Sequence, residues 1–168
     1  MKLTDILPVE IWGTIEREAN KKFGLNASVF DVGGMRITGQ NGLSNLLCRE
    51  IRKSADGRTE ICARSHQNIS GQARRDRKTV IGECDAGLVK IAVPIFVNDE
   101  YLGSFGGCGM PLEGEEIDAF YISRVTGIPE EEVEGLGRDM GVLSRARSEE
   151  IADFLAAKVR EVFEAASL

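Results

Sequence analysis

The chain has 168 residues, 42% of them hydrophobic and 29% charged, with a net charge of −6 and a sequence pI of about 5.0. That is the length and composition of one folded domain, which excludes disorder; at this size roughly 70% of the unfolded surface is buried, enough for a core and a pocket without disulfides. The acidic balance argues against nucleic acid as a direct partner, and no apolar run reaches the ~18 residues that a membrane helix needs.

Pro8-Val9-Glu10 reads as a helix start, and Ile11, Ile15, Ala19 and Phe23 recur at helical spacing, with Trp12 widening that face. Gly24 and Asn26 end this helix. Ala27 to Asp31 reads as a strand, Gly33-Gly34 as a tight turn, and Met35 to Thr38 as the hairpin partner. Gly39 to Gly42 is a predicted loop. Leu43 to Lys53 follows as a short helix with Leu43, Leu46, Leu47 and Ile51 inward, and Ser54 to Gly57 breaks it. Thr59 to Lys78 is a longer predicted helix. Its end carries Arg74, Arg75, Arg77 and Lys78, which read as a solvated face.

Thr79 to Cys84 then looks extended. Leu88 to Val97 is rich in β-branched residues, and Pro94 within it suggests an edge position or a bulge. Asn98-Asp99-Glu100 is a turn into a strand from Tyr101 to Gly106. Three helices close the chain, over Glu115–Val125, Pro129–Leu136 and Arg147–Ala166. Glu130-Glu131-Glu132 after Pro129 suits a helix N-terminus. The last helix places Ile151, Phe154, Leu155, Val159, Val162 and Phe163 on one stripe. Such a stripe packs on the domain's own sheet, or pairs with a second copy as a homodimer seam, or leads to an output module. The order predicts a single α+β domain over residues 1–168: an antiparallel sheet in the PAS-like arrangement, helices covering one face, and a C-terminal helical segment over 115–166.

The cysteines carry the most chemistry. Cys48, Cys62, Cys84 and Cys108 contain no C-x-x-C pair, so neither a thioredoxin motif nor a zinc knuckle is present. Cys84 precedes Asp85-Ala86-Gly87, and Cys108 sits in Gly106-Gly107-Cys108-Gly109, where glycines let backbone N–H groups converge on a sulfur. Cys48 and Cys62 lie on or beside the two helices expected over the sheet. Convergence of all four would suit zinc, a haem or an iron–sulfur cluster; buried, inert thiols are the alternative. His66, the one histidine, shares a helix face with Cys62 and offers a further ligand or a hydrogen bond. Met1 to Asp5 lacks the apolar core of a signal peptide, so a cytoplasmic protein with reduced thiols is expected.

With these residues in view, the chain resembles the PocR sensory domain family. The resemblance is carried by Cys48-Arg49-Glu50-Ile51-Arg52, Gly57-Arg58-Thr59-Glu60-Ile61-Cys62 and Cys84-Asp85-Ala86-Gly87-Leu88. It continues through Ala92-Val93-Pro94-Ile95 and Tyr101-Leu102-Gly103-Ser104-Phe105-Gly106-Gly107, so that it spans about Leu43 to Met110. It implies a PAS-like ligand-binding module of prokaryotic signalling proteins, sensing small alcohols or hydrocarbon derivatives and passing its output to a DNA-binding, kinase or chemotaxis module. Cysteines matching Cys48, Cys62 and Cys84 are typical of that family. Cys108 stands where Gln is often found, which adds a fourth thiol and favours a metal centre over a simple diol pocket. No helix-turn-helix or kinase segment follows Met110, so the chain is expected to be a fragment of a longer protein or a stand-alone sensor, whose output would then pass through a partner protein or its own dimer.

Three functions follow as expectations. One is a sensor with an apolar pocket between sheet and helices, walled by Phe30, Phe96 and Phe105, with His66 and Asp85 as polar contacts. Another is a metal, haem or iron–sulfur sensor on the four cysteines, which could itself present the open position for a small ligand. The last is a thiol-dependent redox enzyme or carrier. Catalysis is the weakest of these: Cys with His66 is the only nucleophile–base candidate, with no third group to orient it, and neither Gly33-Gly34 nor Gly103 to Gly109 forms a phosphate loop.

Overall fold

In the computed structural model, which describes residues 1–39, 43 and 45–167, the chain opens with a short helix α1 (Leu3–Ile6) and the longer α2 (Val9–Phe23). The buried stripe of α2 is Trp12, Ile15, Glu16, Ala19 and Phe23, whereas Ile11 is exposed. Ile11 lies a full 100° round the helix from Trp12, and the wide ring fixes which face turns inward. Trp12 Nε1 donates to the Leu3 carbonyl at 3.1 Å, tying α1 to α2. Gly24, at φ 68°, ends α2 in the left-handed conformation that glycine adopts without strain.

Four strands form one antiparallel sheet in the order β1-β4-β3-β2: β1 (Asn26–Asp31), β2 (Val80–Glu83), β3 (Val89–Val97) and β4 (Glu100–Met110). The expected partner strand at Met35–Thr38 does not form. A single bridge, Phe30 to Arg36, and two backbone bonds, Asp31 N–H to Met35 O and Ile37 N–H to Val29 O, are what run beside β1 there. The reason is local: Asp31 Oδ1 accepts from the amides of Gly33 and Met35, both at 2.9 Å, so the side chain turns the chain that a ladder would have kept extended. The predicted loop at Gly39–Gly42 lies, beyond Gly39, outside the described residues. Pro94 falls past the end of the β2 ladder, where β3 has become an edge, and a register shift follows between Ile95 and Phe96.

Strand alternation gives the sheet two different faces. On one, Val29, Phe105 and Val93 lie side by side and join Ala27, Ile91 and Ile95 in the main core. That core is closed by α2 and by α7 (Arg145–Ala165). The α7 stripe is spent here: Ile151, Leu155, Val159 and Val162 are buried, Phe154 meets Phe23 edge-on at 5.1 Å, and Phe163 meets Trp12 at 6.1 Å. Of the readings of that stripe, packing on the domain's own sheet is the one observed.

On the other face the rows are Asn26–Cys108–Lys90, Ser28–Gly106–Ala92 and Phe30–Ser104–Pro94. The connecting helices cover it. α4 (Arg64–Asp76) packs Ala73 and Ile69 on Val80 and Ala92. α3 (Leu46–Lys53) lies at the end near Cys108; it buries Leu47 and Ile51, while Leu46, expected inward, is exposed. α5 (Ala119–Thr126) and α6 (Glu130–Arg138) back this layer through Ile122 and Val133, which meet Ile51, Ile61 and Leu88 in a second core. No helix among the described residues is long and apolar enough to cross a membrane.

Candidate ligand-binding site

Between α3 and α4 the backbone widens into a π-helical turn, Gly57–Ala63, so the single helix expected from Thr59 has an altered first turn. Gly57 starts it because a Cβ there would collide with the Ile51 carbonyl; only glycine lets α3 and the turn approach so closely. Such turns are rare and concentrate at functional sites. This one carries Arg58, Ile61 and Cys62 to the rim and wall of a cavity.

The cavity has a volume of about 300 Å³, at the small end of the range for small-molecule sites. Its floor is the sheet row Asn26–Cys108–Lys90 with Phe30; its walls are α3, the π-turn, the start of α4 and the Cys84–Leu88 turn. All four cysteines line it. Asn45 holds Cys48 in place: its Oδ1 accepts from the Cys48 amide at 2.7 Å, and its Nδ2 reaches the Gly109 carbonyl at 2.8 Å and the Cys48 sulfur at 3.3 Å. Ser65 Oγ accepts from the Asp85 amide at 2.8 Å, fixing the turn that follows Cys84 to α4. Cys108 lies within β4 rather than past its end, and its thiol faces the Asn26 carbonyl at 4.0 Å.

The convergence expected of the thiols is therefore real, but it is a lining and not a coordination shell. Among the described residues no three His, Cys, Asp or Glu side chains stand close enough to hold a metal ion. Burial, with Cys108 nearby, pushes the Cys48 thiol up to about 12 and the Cys84 thiol up to about 11, and burial raises Cys62 as well. Backbone amides do meet the Cys84 sulfur, but they are those of Leu88 and Ala86 and not of glycines.

His66 is 4% exposed and stacks on Phe30, ring centroids 3.7 Å apart. Its Nε2 is buried without a hydrogen-bond partner. Burial, then the charges of Lys90 and Arg36, push its pKa down to about 3, so the ring is neutral at physiological pH. Arg52 Nη1 is also buried and unpartnered. The charge balance is lopsided: Arg36, Arg52, Arg58 and Lys90 line the cavity, no aspartate or glutamate does, and none of the four forms an ion pair among the described residues.

A family profile described as the sensory domain found in PocR matches residues 5–166. The chain belongs to this family. Its match runs well past the Leu43–Met110 stretch on which the resemblance was read, so α2 and the C-terminal helices are part of the family's domain. No curated protein and no solved structure matches the chain. As a PocR-type sensory domain it is a ligand-sensing, signalling module, and the cavity is lined by two residues with a buried, unpartnered polar atom, Arg52 and His66.

Of the residues expected at the site, Cys48, Cys62, Cys84, Cys108, His66 and Phe30 line this cavity. Phe105, Phe96 and Asp85 do not. Phe105 points to the opposite sheet face, fully buried in the main core. Phe96 sits at the far end of β3, against Tyr101 at 5.4 Å and under Arg77. Asp85 is half-buried in the turn after β2, one position beyond Cys84, and is outside the lining. The cations were the missed residues. Lys90 gave a usable signal, as a lone charge in the apolar run Leu88 to Val97. Arg36, Arg52 and Arg58 stand in polar stretches with no spacing that sets them apart.

Proposed function

We propose that this domain senses a small molecule held in the cavity between the sheet, the π-turn and α4, and that it relays occupancy to a signalling partner rather than catalysing a reaction. The observation that carries the reading is the unpartnered Nε2 of His66, buried on Phe30 and turned into a 300 Å³ space. A buried polar atom without a partner costs roughly 1–3 kcal/mol, and a ligand that meets it recovers that cost. Apolar walls from Ile51, Ile61, Leu88 and Phe30 supply the rest of the affinity. Catalysis by a cysteine fits poorly, because burial disfavours the thiolate that would be the nucleophile.

The test blocks the cavity from its rim. Ala63 is exposed there, so Ala63→Trp can be accommodated without disturbing the core. Native mass spectrometry and thermal shifts would be run with 1-hexanol, benzyl alcohol, hexanoate and benzoate. Saturable stabilisation by any of them, lost in Ala63→Trp at unchanged circular dichroism, supports the reading. Stabilisation that survives the block places the ligand elsewhere and refutes it.

A second reading, a cysteine-held metal or cluster, is favoured by one observation: all four sulfurs line the same space. It requires the walls to close in on the metal, since the sulfurs are not grouped for coordination. Elemental analysis of protein purified without oxygen decides it. Near-stoichiometric iron or zinc, lost in Cys108→Ser, establishes the metal reading; a metal-free, folded protein removes it.

A further inference from the structure

The chain carries a net charge of −6, yet its cavity is lined by cations alone. Lys90 is the sharpest case. It is 7% exposed in the centre of a β-sheet and has neither an ion pair nor a hydrogen bond among the described residues; its Nζ lies 6.0 Å from the Phe30 ring, and its charge reaches His66, Cys62 and Cys84. Arg52 buries an unpartnered Nη1 in the same cavity. Arg36 lies over the other side of the Phe30 environment, 5.6 Å from that ring, close enough to Arg52 for the two guanidiniums to repel. Arg58 is the one cation with a structural task, since it donates to the carbonyls of Arg52 and Lys53.

Buried cations are normally paired, because an isolated one is costly to desolvate. Among the described residues no pair is supplied here. Glu16, the acidic residue whose charge reaches Arg36, is engaged instead with the Val29 amide at 2.6 Å and the Thr38 hydroxyl. The thiols do not supply one either, since burial keeps Cys48 and Cys84 protonated at neutral pH.

We infer that the sensed molecule is a small organic anion, its carboxylate or phosphate head held by Arg52, Lys90 and Arg36 and its apolar body packed on Phe30, Ile51 and Leu88. This rests on the cavity being the ligand site. Neutral His66 completes the head-group contacts with a single hydrogen bond from Nε2–H. Two guanidiniums and an ammonium suit this task, because charge-assisted hydrogen bonds to a carboxylate or phosphate are about twice as strong as neutral ones. A neutral alcohol would leave the three cations unpaired.

The experiment uses the full chain, checked to be metal-free, and matched probes: benzoate against benzyl alcohol, hexanoate against 1-hexanol, and inorganic phosphate. Calorimetry and thermal shifts are read in the parent, Lys90→Met, Arg52→Gln and Ala63→Trp. Carboxylates are expected to bind at least about tenfold tighter than the matched alcohols, and to weaken by a similar factor in Lys90→Met and in Arg52→Gln. Phosphate binding without carboxylate binding assigns the head group to a phosphate and keeps the inference. Alcohols that bind as tightly as carboxylates, indifferent to both charge variants but blocked by Ala63→Trp, overturn the anion while leaving the pocket. Binding that survives Ala63→Trp, or no binding by any probe, overturns both. Stoichiometric iron in the purified protein overturns the organic anion as well, because an anionic cluster would then occupy the same cations. Two charge variants are used so that a folding failure in one leaves the other to decide.

Discussion

Replacing Lys90 with methionine puts the electrostatic argument at direct risk. The residue is 7% exposed, sits in the row between Cys108 and Gly82, and has no anionic partner among the described residues. An uncompensated buried ion costs several kcal/mol even after relaxation. Its contact with the Phe30 ring returns about 0.5–1 kcal/mol at this distance, and water in the cavity screens a further part. Methionine keeps an unbranched stem of similar volume and drops the charge. The ligand-free variant should therefore be more stable than the parent by about 1–3 kcal/mol, which for a domain of this size is a rise of roughly 2–12 °C in Tm. Urea unfolding at pH 7, followed through the single tryptophan, Trp12, reads this directly, because that ring is fully buried in the main core. The midpoint should rise at unchanged slope. A lower midpoint for Lys90→Met would mean that the ammonium is already compensated, and would refute the reasoning. Added stability from removing a charge is the signature of a residue kept for binding rather than for folding.

Other outcomes follow from the same geometry. His66 has a folded pKa of about 3 against an ordinary 6.5, so the fold binds its proton less well than the unfolded chain does. Its contribution is complete above pH 6.5 and is lost as the pH falls from 6.5 towards 3, a change of at most about 5 kcal/mol; a His66→Gln variant should unfold with a flatter pH dependence over that window, and an identical profile would contradict the neutral, buried ring. Subtracting the variant also removes the opposite trend of Glu16, whose carboxyl is raised by burial and so loses a penalty on acidification. Phe105→Ala should cost about 3–5 kcal/mol by emptying the main core and leave probe affinity untouched, whereas Phe30→Ala should weaken probe binding, since it removes the ring under His66. Reversed results on the two phenylalanines would place the ligand on the other sheet face. Cys48 and Cys84 should react with iodoacetamide far more slowly at pH 7.4 than a free thiol does, because only roughly one in a thousand or fewer is ionised; rapid labelling of either would reopen thiol chemistry.

The elements were legible where one periodicity ruled. α2, β3 and α7 fall close to their expected bounds because apolar spacing there reflects burial in a single core, whereas β4 runs on past Gly106 to Met110 through a glycine-rich stretch with no such spacing. The reading slipped where a side chain acts on its own backbone. Asp31 turns the chain after β1, so a pattern that looks like a hairpin is a capped loop. It slipped again where burial depends on a distant partner. Leu46 and Leu47 are equivalent in sequence, but only Leu47 meets the second core. The π-turn left one trace, Gly57, whose need to touch the Ile51 carbonyl is tertiary and cannot be read from spacing.

The site itself was half legible, and the half that was missed decides the chemistry. Four cysteines drew attention because the residue type is rare and reactive; the structure brings them together as cavity wall, with no three metal-ligating side chains grouped among the described residues. The cations drew none, because arginine and lysine are common and usually solvated. What changes their meaning is register. Pairing β3 with β4 sets Lys90 beside Cys108, pairing β1 with β4 sets Asn26 on its other side, and Gly57 lets the π-turn bring Arg58 to the same opening as Arg52. Charges 16 and 54 residues apart in pairs such as Arg36–Arg52 and Arg36–Lys90 thus face one another across a space that holds no carboxylate. On the proposed reading, a fold that assembles repulsion in its interior is relieved when its ligand binds. That is the physical condition for a sensor, because the free energy withheld in the empty state is what occupancy releases to the output.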